Sequence, residues 1–113
     1  MQDYKKLVEE ITANLGELSK DTPEQMRGFH NFMEYVEKDG ALKKKEKSLI
    51  AIACALVAHC EWCIAFHVKG ALDSGATNEE ILESAWVGVL MGGGPSLMYA
   101  QGVLKALEDL KQG

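Results

Sequence analysis

Apolar positions recur at helical spacing along nearly the whole chain. Tyr4, Leu7, Val8, Ile11, Leu15 and Leu18 fall on one face, with Lys5, Lys6, Glu9, Glu10 and Glu17 between them. This pattern predicts a first amphipathic helix over residues 3–19. Asp21-Thr22-Pro23 breaks it. Thr22 is placed to cap a second helix, Pro23 suits the first helical position, and Gln25 completes a capping-box pattern. That helix is expected to reach Val36 or Glu37, to bury Met26, Phe29, Phe32, Met33 and Val36, and to end at Asp39-Gly40.

A third helix is expected from about Leu42 to Ala58. Leu49, Ile50, Ala53, Cys54 and Val57 form one stripe, and Ile52, Ala55 and Leu56 fill most of the remaining surface. A helix apolar nearly all round is a buried one, so this element is expected at the centre. Polar residues return at His59-Cys60, where a short break is placed. A fourth helix then carries Cys63 through Leu72 and stops before Gly75. Thr77 and Glu80 form a capping box for a fifth helix running to about Met91. Gly92-Gly93-Gly94-Pro95 is the sharpest break, read as a tight turn between closely packed helices, with exposed amides for an anion as the functional alternative. Pro95 opens a last helix to about Lys111. No stretch alternates like a strand, so the expected fold is all-α with about six helices in one domain over residues 1–113.

Composition narrows the function classes. The chain has 113 residues, of which 47% are hydrophobic but only 7% aromatic. So much apolar material in so short a chain suggests that some is covered by further copies of itself. The formal net charge of -5 argues against nucleic acid as a partner, because phosphate contacts need a basic face. The basic run Lys43, Lys44, Lys45 and Lys47 is interrupted by Glu46 and reads as the solvated first turns of a helix. The stretch from Met1 to Tyr4 is not the apolar opening of a signal peptide. The longest apolar run, Leu49 to Ala58, is ten residues, short of a membrane span. Three cysteines are an odd number for a secreted disulfide framework. A cytoplasmic location is therefore expected.

The stretch from Cys60 to His67 carries the candidate chemistry. Helical geometry puts Cys60, Cys63 and His67 within an arc of roughly 60°, with Cys63 and His67 roughly 6 Å apart along the axis. Two cysteines in this spacing at a helix start can form a disulfide, and the outward-pointing amides favour a thiolate there. An imidazole one turn on can take the Cys63 proton or hold its thiolate. The alternatives are a zinc site built from His59, Cys60, Cys63 and His67, or small buried residues beside a surface histidine. Cys54 is expected in the core and His30 at the surface or core edge. Trp62 and Trp86 are core residues or pocket walls.

Lys47-Ser48-Leu49-Ile50-Ala51, the Cys60 to His67 stretch, Gly75 to Ile81 and Met91-Gly92-Gly93-Gly94-Pro95 together give the chain a specific likeness. It resembles the carboxymuconolactone decarboxylase-like family in its alkylhydroperoxidase D-like branch. The resemblance implies an all-helical homo-oligomer, a trimer or hexamer, that reduces alkyl hydroperoxides or exchanges disulfides. It maps the catalytic relay onto Cys60, Cys63 and His67, with an external dithiol as reductant and neither cofactor nor metal. Two other readings are a decarboxylase of a small lactone acid, for which Arg27 is the only arginine, and a non-enzymatic redox-sensing oligomer. Redox members usually carry a glutamate twelve residues before the first cysteine, and here that position is Ser48. Glu46 lies about 200° away around the helix, and Glu61 is a second candidate carboxylate. The serine is expected to weaken peroxidase chemistry more than disulfide exchange.

Overall fold

The computed structural model describes residues 2–111. Met1, Gln112 and Gly113, the extreme ends of the expected domain, lie outside the described residues. Six helices follow in order: α1 (Tyr4–Asp21), α2 (Pro23–Glu37), α3 (Lys44–Val57), α4 (Glu61–Asp73), α5 (Asn78–Gly92) and α6 (Gly94–Leu110). There is no strand among the described residues, so the architecture is all-α, as the periodicity implied. Among the described residues no helix is long and apolar enough to cross a membrane.

Local chemistry explains most of the boundaries. The Asp3 carboxylate accepts from the amides of Lys5 and Lys6 and caps α1. Thr77 and Glu80 form a complete capping box at α5, with Glu80 N donating to Thr77 Oγ1 at 3.1 Å and Thr77 N donating to Glu80 Oε1 at 2.9 Å. The box expected at Thr22 and Gln25 does not form. Thr22 Oγ1 instead donates back to the Leu18 carbonyl at 2.7 Å, closing α1 rather than opening α2. The break near residue 93 is also shorter than three glycines suggest. Only Gly93 leaves helical geometry, at φ 72°, while Gly92 ends α5 and Gly94 begins α6. A Cβ on Gly92 would collide with Ser96 Oγ. Ser96 is fully buried and donates to the Leu56 carbonyl at 3.2 Å. The close-packing reading of this turn thus has a direct cause.

Helix α3 packs mainly against α5 and α4, and α6 closes the far side. Ile52 and Leu56 of α3, Ile64 and Val68 of α4, Ile81 of α5 and Val103 of α6 are wholly buried. Tyr4 of α1 completes this cluster and lies against Gly102, where a Cβ would strike its hydroxyl. Burial, with Glu61 and Asp109 nearby, pushes the Tyr4 phenol up to about 12.

Two expectations about burial fail. Helix α2 buries none of its residues, and Phe29, Phe32 and Val36 are 57%, 61% and 49% exposed. It touches little beyond α1 and the start of α3, so much of its apolar stripe is left uncovered by the described residues. On α3 the core face is Ile52, Ala55 and Leu56, whereas Ile50, Val57 and the free thiol of Cys54 are exposed. These side chains line an apolar trough of about 580 Å³ between α3 and α5. A helix apolar all round has more apolar faces than one short chain can cover, and spacing does not say which faces are left out.

Candidate functional site

The link between α3 and α4 sets up the site. His59 adopts φ 55°, a left-handed conformation unusual for a residue with a side chain, though histidine is among the more tolerant. Its ring stacks flat on Tyr99 of α6, with centroids 4.9 Å apart. The Cys60 amide donates to the Ala55 carbonyl at 3.1 Å, which turns the chain back towards the core. Cys60 is then the N-cap of α4, and its Sγ accepts from the Cys63 amide at 3.1 Å. A sulfur thus fills the role that a serine or aspartate oxygen usually has at a helix start. The same Sγ is bonded to Cys63 Sγ in a disulfide.

One turn on, His67 shares with Cys63 a cavity of about 430 Å³. Ile11 and Leu15 of α1, Phe29 and Met33 of α2, and Trp62 and Phe66 of α4 make its wall almost wholly apolar. A second, polar cavity of about 920 Å³ lies on the other side of His67, lined by Ser48, Lys43, Lys44, Lys45, Lys69, Asp39 and Asp73 among others. Ile11, Phe66, His67 and Glu37 border both cavities. Burial holds the His67 imidazole below its ordinary value, and the Glu37 carboxylate pulls it the opposite way.

Cys60, Cys63 and His67 therefore stand together as their spacing implied. The four-ligand zinc set does not assemble, because the His59 ring is turned onto Tyr99. Among the described residues no group of three or more His, Cys, Asp or Glu side chains is placed to hold a metal ion. Cys54 is exposed, far from its expected place in the core. His30 sits at the surface, 3.0 Å from Glu34. Trp62 is a wall of the cavity, and Trp86 is 61% exposed. The lysine run is more engaged than a solvated face. Lys45 pairs with Glu80 at 3.0 Å, and Lys47 Nζ donates to the Val36 and Lys38 carbonyls at 2.7 Å each.

Of the expected carboxylates, Glu46 borders neither cavity, and Glu61 acts on Tyr4 instead. The carboxylate that acts on His67 is Glu37, thirty residues upstream. No local spacing marks it. One sequence signal existed: an acidic residue at the last position of a helix, where the carbonyl ends disfavour negative charge.

Comparison with known proteins gives a consistent picture. A model of the carboxymuconolactone decarboxylase family matches residues 23–106. An uncharacterized protein of the cox locus of Paracoccus denitrificans is 42% identical over 99 residues, covering 88% of this chain and 89% of its own. An uncharacterized Cupriavidus necator protein is 36% identical over 108 residues, covering 96% of each. The crystal structure of an apo-form family protein from Legionella pneumophila superposes with a TM-score of 0.93 at 42% identity, over 99% of this chain and 100% of that one. A Thermotoga maritima family protein, for which involvement in antioxidative response has been suggested, gives 0.83 at 27% identity, over 94% and 90%.

Proposed function

The chain belongs to the carboxymuconolactone decarboxylase family, and we propose that within it this protein is a thiol-dependent redox enzyme. Its Cys60–Cys63 pair carries electrons from an external dithiol to an alkyl hydroperoxide or a disulfide. The observation that carries this reading is the shared cavity. Cys63 and His67 open into an apolar space of about 430 Å³, which suits an alkyl chain better than a charged acid.

The cycle begins from the reduced pair. His67 takes the Cys63 proton, and the thiolate attacks the outer peroxide oxygen. The O–O bond breaks, the alkoxide leaves as an alcohol after taking that proton, and Cys63 becomes a sulfenic acid. The Cys60 thiol attacks the Cys63 sulfur and releases water, forming the disulfide. An external dithiol restores both thiols by two exchange steps and ends as its own disulfide. Cys60 Sγ sits where α4 amides stabilise a thiolate, so it is the better leaving group during that reduction. With a disulfide substrate the same pair runs the exchange steps alone.

The test is consumption of cumene hydroperoxide with dithiothreitol as reductant, alongside reduction of a chromogenic disulfide. Turnover of either substrate is expected and is lost in Cys63→Ser, while Cys60→Ser, with dithiothreitol removed, is expected to consume a single equivalent of hydroperoxide. A folded, fully reduced protein that turns over neither overturns the reading.

The proposal extends to assembly and location. Trp86, Leu90 and Met91 of α5 are 61%, 79% and 75% exposed, and large apolar side chains left bare on one helix are a feature of interaction surfaces. Together with the bare stripe of α2, this supports a homo-oligomer, a trimer or hexamer, and light scattering that finds a monomer at micromolar concentration would exclude it. A pair recharged by dithiols fits the cytoplasm, with no nucleic acid or membrane as partner.

A further inference from the structure

Glu37 is an unusual residue for its place. It is half-buried, it ends α2, and it makes no ion pair among the described residues. A carboxylate at a helix C-terminus is disfavoured by the exposed carbonyls, and partial burial adds to the penalty. A residue that breaks local rules without a structural return is a candidate for function.

The backbone around it is firmly held. Lys47 Nζ, reaching over from α3, donates to the Val36 carbonyl on one side of Glu37 and the Lys38 carbonyl on the other, each at 2.7 Å. Asp39 then accepts from the Lys44 amide at 2.7 Å and ties the linker to the start of α3. The last turn of α2 is thus fixed to α3, and Glu37 is delivered to the partition between the two cavities. Among the four residues common to both cavities, Glu37 and His67 are the ionisable ones.

We infer that Glu37 is a positioning residue for His67, its carboxylate stabilising, across the cavities they both border, the imidazolium that forms when Cys63 gives up its proton. The inference rests on the proposed thiol chemistry for its purpose, though not for its physical basis. The other charged groups around His67 do not replace Glu37. From α1 no ionisable side chain enters either cavity. From α4, Lys69 and Asp73 pair with each other at 2.7 Å. From α3, Lys45 is paired with Glu80, while Lys44, with Lys43 ahead of it, leaves positive charge in the polar cavity. In the linker, Asp39 is occupied by the Lys44 amide. Burial disfavours an imidazolium, and Glu37 is the group that acts against it.

The experiment is a proton NMR titration of His67 in the reduced protein and in Glu37→Gln, Glu37→Asp and Glu46→Gln. Glu37→Gln is expected to lower the His67 midpoint by about half a pH unit or more. Glu37→Asp should recover most of that, and Glu46→Gln should leave it unchanged. In parallel, kcat for hydroperoxide or disulfide is expected to fall several-fold in Glu37→Gln, with KM unchanged and the acid limb of the pH profile moved with the midpoint. An unshifted His67 in Glu37→Gln, or an equal shift in Glu46→Gln, overturns the inference. If the parent protein turns over neither substrate, the proposed function fails, and the titration still decides the role of Glu37.

Discussion

Helices α3 and α5 meet at a point with no room for a side chain. A Cβ on Gly88 would lie 2.7 Å from the Ala53 carbonyl oxygen and 3.2 Å from its Cα. Ordinary contact is about 3.5–4.0 Å, and backbone cannot step aside as a rotamer can. Gly88→Ala must therefore push the two helices apart by a sizeable fraction of an ångström. Overpacking of this kind costs about 1–3 kcal/mol. Alanine regains about 1 kcal/mol in helix propensity, so the net loss should be about 0–2 kcal/mol. Gly16 provides the control. It lies inside α1, exposed, with nothing within 4 Å of where a Cβ would stand, so Gly16→Ala should gain about 0.5–1 kcal/mol. The assay is urea unfolding at one fixed protein concentration, because any self-association would make stability concentration-dependent. Opposite shifts in midpoint with an unchanged slope are expected. A Gly88→Ala protein as stable as Gly16→Ala would refute the close approach.

Two pH predictions follow from the shifted groups. The Tyr4 phenol is pushed up to about 12 from 10.0, so the unfolded chain releases its proton first. Stability should fall as pH rises between 10.0 and about 12, and Tyr4→Phe should remove that loss in unfolding titrations. His67 is held below 6.5, so the unfolded chain binds a proton first as pH falls. Stability should decline below pH 6.5 until the folded imidazole also protonates, and His67→Gln should flatten that part of the profile.

What the sequence disclosed was what lies close together along it. The Thr77–Glu80 cap needs two residues three apart, and Cys60, Cys63 and His67 share one helix whose turn is known in advance. Thr22 shows the limit of such reasoning, because its hydroxyl had a second acceptor one turn back in Leu18 and took it. Cys54 shows another: on a helix apolar all round, only tertiary packing selects the buried face. Phe29 and Phe32 lie on a face that spacing assigned to the core and that the packing leaves bare. Glu37 borders the same two cavities as His67 because α2 is folded against α3 and fastened by Lys47, an arrangement that no spacing encodes.

The sulfur that caps α4 has one more consequence. Cys60 Sγ is at once the acceptor for the Cys63 amide and half of the disulfide. A thiolate left there by reduction would bind the helix amides more strongly than the disulfide sulfur does. The thermodynamics of the helix start and of the electron pair are therefore one quantity seen twice. A cap is worth about 0.5–2 kcal/mol, and for a two-electron couple that corresponds to about 10–40 mV towards a more oxidising potential. Any contact that tightens or loosens the first turn of α4, the His59 stack on Tyr99 included, thus also adjusts the reduction potential of this disulfide.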